Sequence, residues 1–523
     1  MRCFLYTCCV AMVVGISSAF AQDAIPSQAT DPIPETVSSA AELPPGMVGR
    51  VSLASGNVDL RMSGESNWAA TAVNQPVYSG EGVRTGPQAR AEIEVGANTV
   101  DLAEGTEIVI TMLTDKFTQI ALSRGRSGVS LRQIGDEDTV EIDFAQGGLW
   151  LLGPGRYDLD VAGGDQPTRI TVFEGTAQFV GGGSETRIET GQMAVLAGAD
   201  TVTATTEAAR ADDFVEWCQS VDYDQTRLAA PHYLSKYMTG FAELDTAGIW
   251  KINSEYGPIW FPTDPEWSPY RFGHWGWIAP WGWTWIDDQP WGFAPSHYGR
   301  WVMIDDHWAW APGGFTVHPV FAPAVVAFLG TPGIGLSSED GATVAWFPLA
   351  PSETYWPTYT QDMDYIRSLN FGNVPDTEAI QMPADGAPRL EFFHEDFANR
   401  RFSTAVPRSV FINGRPAAPA RVSLPEQRLQ NAPVLMGSPQ IAPPSAQPVA
   451  SVPKPSLIRV VVRTPRKGGA KIIRAALLKS RGHDQPVVLR GAHLHVPSYA
   501  GQARGRQLIM LRVAHIAHGG ARH

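Results

Sequence analysis

Gly273-His-Trp-Gly-Trp-Ile-Ala-Pro-Trp-Gly-Trp-Thr-Trp-Ile-Asp287 carries five tryptophans in fifteen residues. Gly276 separates Trp275 from Trp277, while Gly282 and Thr284 alternate with Trp281, Trp283 and Trp285. That period of two sets large side chains on one face of an extended strand and small ones on the other. Ala279-Pro280 interrupts the run with turn residues. The stretch reads as a β-hairpin with a heavily aromatic face.

This hairpin is one of three. Gly248-Ile-Trp250, Gly273-His-Trp275 and Gly299-Arg-Trp301 each open a unit, and Trp260, Trp285 and Trp310 each close one about ten residues later, a period of about 25. Glu255-Tyr-Gly257, Ala279-Pro280 and Asp305-Asp306 supply the turns. Twelve of the 17 tryptophans fall between Trp250 and Trp310, so one segment must accommodate most of them. Two readings of the aromatic face stay open. Each ring can bury about 150–250 Å², so the rings can form the core of a small sheet that has few aliphatic residues. Left exposed, they make a platform for glycan rings, peptidoglycan strands or a Pro-rich peptide. The candidate binding residues for that platform are Trp275, Trp277, Trp281, Trp283, Trp285 and Trp291.

The segment from Trp267 to Trp301 resembles an uncharacterised Trp-rich family of proteobacterial exported proteins, found directly after a FecR-like domain. Its later hallmarks stand here as Val320-Phe-Ala-Pro-Ala324, Ala345-Trp-Phe-Pro-Leu-Ala-Pro351 and Val406-Pro-Arg-Ser-Val-Phe411. The resemblance covers about residues 232 to 430 and brings no known activity.

Upstream, short alternating segments recur between turn signals from about residue 48 to 202: 49–56, 57–61, 91–95, 107–110, 139–143 and 169–173. No helical segment intervenes, which suits a β-sandwich or a stacked β-solenoid and not a parallel sheet with crossover helices. Gly49-x-Val51, Trp68, Asn74-x-Pro76, Gly80-Glu-Gly-Val-Arg-Thr-Gly86, Arg90-Ala-Glu92, Thr99, Leu102, Tyr157, Val172-Phe-Glu-Gly175 and Gly191-Gln192 together resemble the FecR domain. The resemblance implies a periplasmic β domain of the kind found in signalling regulators of iron uptake. Such regulators carry a cytoplasmic anti-sigma segment and a membrane helix ahead of it, whereas this chain shows a signal peptide there. Fold and compartment are carried over; the anti-sigma role is not.

The chain ends differ from this β-rich centre. Arg2, an apolar run over 4–16 and Ala19-Phe20-Ala21 fit an export signal cleaved before Gln22. Cys3, Cys8 and Cys9 leave with it, so the mature chain keeps Cys218 alone and is held by packing, not by a disulfide. From Gly437 onward, 14 Lys/Arg face one acid, Asp484, which makes that region about +13 and the remainder about −26 within the net −13. Lys471 to Arg481 mixes basic and apolar residues as a short amphipathic helix does. An exported basic tail meets anionic membrane or wall polymers, not nucleic acid.

Catalytic patterns are weak. Adjacent acids such as Asp287-Asp288 and Asp305-Asp306 point apart in a hairpin, unlike a glycosidase pair that faces one sugar across roughly 5–9.5 Å. His274, His297, His307 and His318 lack metal-ligand spacing, and neither a phosphate loop nor a GxSxG elbow occurs. The expectation is therefore a mainly β, non-catalytic periplasmic binding or scaffold protein with no catalytic residue, metal or cofactor. Its partners are an envelope protein or peptidoglycan glycan; the alternatives are a glycan binder or hydrolase and a FecR-type regulator. The expected organisation is signal peptide 1–21, disordered leader 22–45, FecR-like β domain 46–205, helical connector 206–231, Trp-rich β-hairpin module 232–435, and a Pro-rich linker with basic tail, largely disordered, over 436–523.

Overall fold

The computed structural model describes residues 43–161, 166–198, 201–222, 228–330, 336–338, 341–380, 397–435 and 437–443. The expected signal peptide, most of the leader and the tail from 444 lie outside the described residues.

Seventeen strands build the first lobe: β1 (Gly49–Ser55), β2 (Val58–Arg61), β3 (Ala69–Ala70), β4 (Pro76–Val77), β5 (Gly82–Thr85), β6 (Arg90–Val95), β7 (Asn98–Leu102), β8 (Glu107–Leu113), β9 (Phe117–Leu131), β10 (Thr139–Phe144), β11 (Gly147–Leu151), β12 (Gly155–Val161), β13 (Thr168–Glu174), β14 (Thr176–Gly181), β15 (Ser184–Glu189), β16 (Gln192–Ala197) and β17 (Thr203–Ala208). Every segment read as a strand from alternation is one. Two ladders share the long β9. Its first half pairs with β8 and β10, its second half with β7 and β12. Downstream, hairpins β10–β11, β12–β13, β14–β15 and β16–β17 are laid alternately on one ladder and the other. Of the two expected forms the result is the sandwich, built from successive hairpins and not from stacked coils. All neighbouring pairs are antiparallel except β9–β10. Inward-facing Val51, Ile93, Leu102, Ile108, Leu149, Leu159, Ile170 and Phe179 fill the space between the ladders.

The expected connector helix is shorter than its composition suggests. Residues 203–208 continue the ladder as β17, and α1 (Asp213–Val221) begins at the N-cap Asp212, whose carboxylate accepts from the Phe214 and Val215 amides. Helix α1 lies on the first lobe. Arg126 ties Asp158 of β12 to Asp212, and the Cys218 thiol occupies the place of a side chain at Gly128, where a Cβ would lie 3.0 Å from Sγ. Gly128 is opposite both Asp101 and Asp158, so the thiol fills a gap in a row of acids.

The three hairpins of the second lobe match the sequence reading strand for strand: β18 (Gly248–Asn253) with β19 (Gly257–Pro262), β20 (Gly273–Ile278) with β21 (Gly282–Asp287), and β22 (Arg300–Ile304) with β23 (His307–Ala311). In each, the opening and closing tryptophans are register partners: Trp250 with Trp260, Trp275 with Trp285, Trp301 with Trp310. The invariant glycine of the repeat has a steric reason. A Cβ at Gly248, Gly273 or Gly299 would lie 2.3, 2.7 or 2.5 Å from the ring of the closing tryptophan of its own hairpin. The first and third hairpins join through β19 and β23 into one sheet, while the middle hairpin stands as a two-stranded ribbon. A further sheet, β24 (Val326–Leu329), β25 (Leu336–Ser338), β26 (Gly341–Pro348), β27 (Thr404–Pro407) and β28 (Val434–Leu435), completes the lobe.

The two lobes are joined by polar groups at their seam. Arg50, fully buried on β1, bonds Glu94 on β6, Glu243 of the second lobe, the Asn74 amide oxygen (2.7 Å) and the Pro290 carbonyl (2.6 Å). Asn74 Nδ2 donates to the carbonyls of Asp287 (2.9 Å) and Gln289 (2.6 Å). Thr239 Oγ1 donates to Val48 O, the Ala97 amide to Lys236 O, and Tyr78 packs edge-on against Trp281.

Candidate interaction surface

The six candidate tryptophans do not form one surface. Trp275, Trp281, Trp283, Trp285 and Trp291 are at most 8% exposed, and Trp277 alone reaches solvent, at 45%. The aromatic platform is corrected to an aromatic core. The reason lies in what covers the middle hairpin. Every residue of β21 is buried, because the β24–β28 sheet and the 408–412 helix close one side. Trp275 contacts Phe328, Trp346 and Phe411, and Trp283 contacts Phe411. Alternation predicts that one face is apolar; it carries no record of how many layers lie outside it.

At five positions an indole N–H does what leucine could not, whereas the buried Trp267 and Trp275 Nε1 atoms have no partner among the described residues and those rings serve by packing. Trp260, Trp283, Trp301, Trp310 and Trp346 donate to the carbonyls of Leu244, Ile441, Pro295, Tyr298 and Tyr270 at 2.8–2.9 Å. Each carbonyl lies outside the strands, and a buried carbonyl without a partner costs about 1–3 kcal/mol. These five rings thus fill volume and satisfy backbone in short helices and loops together.

Paired acids are held structurally. Asp287 is buried and accepts from Trp285 Nε1 and the Gln289 amide, both at 2.9 Å; burial pushes its carboxyl up to about 7 against these donors. Its neighbour Asp288 is exposed, so the two point apart. Asp305 and Asp306 both take positive φ, 49° and 62°, in the two-residue turn between β22 and β23. His297 is buried with Nδ1 2.7 Å from the Ala322 carbonyl, and burial pushes it down to about 3, so the ring stays neutral. No group of three or more metal-binding side chains occurs among the described residues.

Cys218 has a similar structural role. Burial and the neighbouring Asp101 push its thiol well up, out of the reactive range. We expect a disulfide exchange reagent at pH 8 to label Cys218 only as fast as α1 lifts. Asp212→Ala, which removes both the cap and the Arg126 bridge, should accelerate labelling; equal rates would show that α1 does not guard the thiol.

What the fold leaves open is elsewhere. Strand β18 is the edge of its sheet, and no further backbone partner lies on its outer side among the described residues. Ile249 and Ile252 on it are both exposed, at 56% and 71%. A second exposed set is formed by Phe315, Val317 and Phe371 on two loops. Sequence reading missed both sets, and it missed Arg50, which stands as the unspecified residue of Gly49-x-Val51.

Fold and surface together define a two-lobed β protein with a tryptophan-cored hairpin lobe. Over residues 241–353, which hold all three hairpins and most of the β24–β26 sheet, the chain matches a family of unknown function (DUF6600). Two crystal structures titled "putative anti-sigma factor" from Parabacteroides distasonis are similar at 13% and 12% identity. Each match covers 26% of this chain and 64% of that one, with a TM-score of 0.24. No curated protein matches this chain.

Proposed function

We propose that this chain is a non-catalytic protein of the cell envelope, exported with cleavage before Gln22. In this reading a FecR-like lobe and the Trp-rich lobe act as one recognition block for another envelope polypeptide. The observation that carries it is the open edge of β18, where unpaired backbone and two exposed isoleucines coincide. An extended segment added there would gain main-chain hydrogen bonds and side-chain contact at once. A wall-glycan partner calls for aromatic platforms, and of the six candidate rings Trp277 alone is presented.

A photo-crosslinking residue placed at Ile249 or Ile252 in the producing cell should give a discrete polypeptide adduct, absent when it replaces Glu104 on the first lobe. Ile249→Asp with Lys251 crosslinking should abolish the adduct. Retention of the purified chain on isolated peptidoglycan at high salt, with no polypeptide adduct, would replace this reading with a glycan binder.

A further inference from the structure

The second exposed patch is built by a backbone contact. The Gly314 amide donates to the Gly372 carbonyl at 2.8 Å, and a Cβ at Gly372 would lie 2.6 Å from the Gly314 nitrogen. Only glycines let these loops cross so closely. Phe315 and Phe371 are each one residue from the crossing, so their Cα atoms lie within about 12 Å of each other. They are 64% and 52% exposed, and Val317 beside them is 53% exposed. Three large apolar side chains are thus exposed close to one backbone crossing, more concentrated than scattered surface residues.

The Phe371 side of the rim is acidic, while the exposed Lys236 follows Ser235, whose hydroxyl donates to the Val317 carbonyl. Asp362 and Asp364 stand exposed on the first turn of the helix Met363–Asn370, which ends at Phe371, and Asp376 and Glu378 follow it. The cation among them, Arg367, already bonds Asp364 at 3.2 Å and approaches Glu378 at 3.9 Å. A fitting occupant is apolar on one side and basic on the other.

The chain itself contains such a segment. In Lys471-Ile-Ile-Arg-Ala-Ala-Leu-Leu-Lys-Ser-Arg481, Ile472, Ile473, Ala476 and Leu477 fall at i, i+1, i+4 and i+5, one face at helical spacing, with Lys471, Arg474 and Arg481 opposite and Leu478 among them. It lies outside the described residues, which end at Pro443. The intervening residues 444–470 can extend to at most about 90 Å. The charge of the whole molecule points the same way, about +13 from Gly437 onward against about −26 before it.

We propose that segment 471–481 docks in cis on the Phe315, Val317 and Phe371 patch, its cations meeting the acidic rim. Tail and patch then shield each other until a competing partner separates them. The proposal stands independently of the envelope assignment.

The test uses the full mature chain. Trypsin should cut after Lys471, Arg474, Lys479 and Arg481 roughly five-fold faster in the Phe315→Asp/Phe371→Asp variant than in the unaltered chain, because cleavage follows the undocked population. High salt should accelerate cleavage in the unaltered chain, and Ile249→Asp/Ile252→Asp should leave it unchanged. Unshifted tryptophan emission would confirm that the variants are folded. Val317→Cys with Ala476→Cys should oxidise to an intramolecular disulfide. A disulfide-linked dimer whose yield rises with concentration would replace cis docking with pairing of two copies. Protection seen only with anionic vesicles would assign the segment to a lipid surface, and equal cleavage in all variants would overturn the proposal.

Discussion

Trp285→Ala should lower the free energy of unfolding by about 3–5 kcal/mol, while Trp277→Ala, two residues from its hairpin's turn, should cost less than about 1 kcal/mol. Trp285 is fully buried. Its ring packs on Trp275 at 5.5 Å and Tyr270 at 5.9 Å, and its N–H holds the Asp287 carboxyl. Alanine removes the largest side chain available and leaves a cavity bounded by other rings, which cannot collapse into it. It also takes a donor from a buried acid. Trp277 has one aromatic neighbour, Trp283, and solvent on the other side. Urea denaturation followed by far-ultraviolet circular dichroism measures both, since fluorescence changes with the residue removed. Were Trp285→Ala tolerated while the crosslinked adduct disappeared, the rings would be a binding surface after all.

The hairpins were legible because their information is local. A period of two, turn residues at Ala279-Pro280 and Asp305-Asp306, and a glycine before each opening tryptophan depend only on neighbours in the same hairpin. The steric seat of Trp260 on Gly248 lies within fourteen residues of chain. Strand positions in the first lobe were legible for the same reason. Burial of the rings was not, because Phe328, Trp346 and Phe411, which cover Trp275, arrive from 53 to 136 residues downstream. The helical connector expected over 206–231 was too long at its start, because residues 206–208 finish β17 and only the β16 partner decides that. The exposed patch was invisible since Gly314 and Gly372 gain meaning only when they cross.

Arg50→Met is the second large effect, and its size should depend on pH. Among the described residues, Arg50 is the cation bonded to both Glu94 and Glu243 at the seam between the lobes. Burial alone would lower its pKa, but the two carboxylates outweigh burial and hold it raised. Burial pushes Glu94 up to about 7 even with Arg50 beside it. The folded state therefore keeps a proton that the unfolded chain releases near 4.5, so this group's contribution falls as pH rises from about 4.5 through 7. Methionine removes the counterion and moves that window higher. At pH 8 the variant should lose about 3–5 kcal/mol, the usual cost of stranding buried charge. At pH 5 the Glu94 carboxyl holds its proton, and the part of the loss that Glu94 carries should vanish. Glu94→Gln in the Arg50→Met background should recover part of the stability at pH 8. Urea titrations at the two pH values separate this from a packing effect: an equal loss at both would assign the cost to the lost bonds to Asn74 and Pro290 and not to charge. Because the same residues join the lobes, the variant at pH 8 should also unfold in two steps where the unaltered chain unfolds in one.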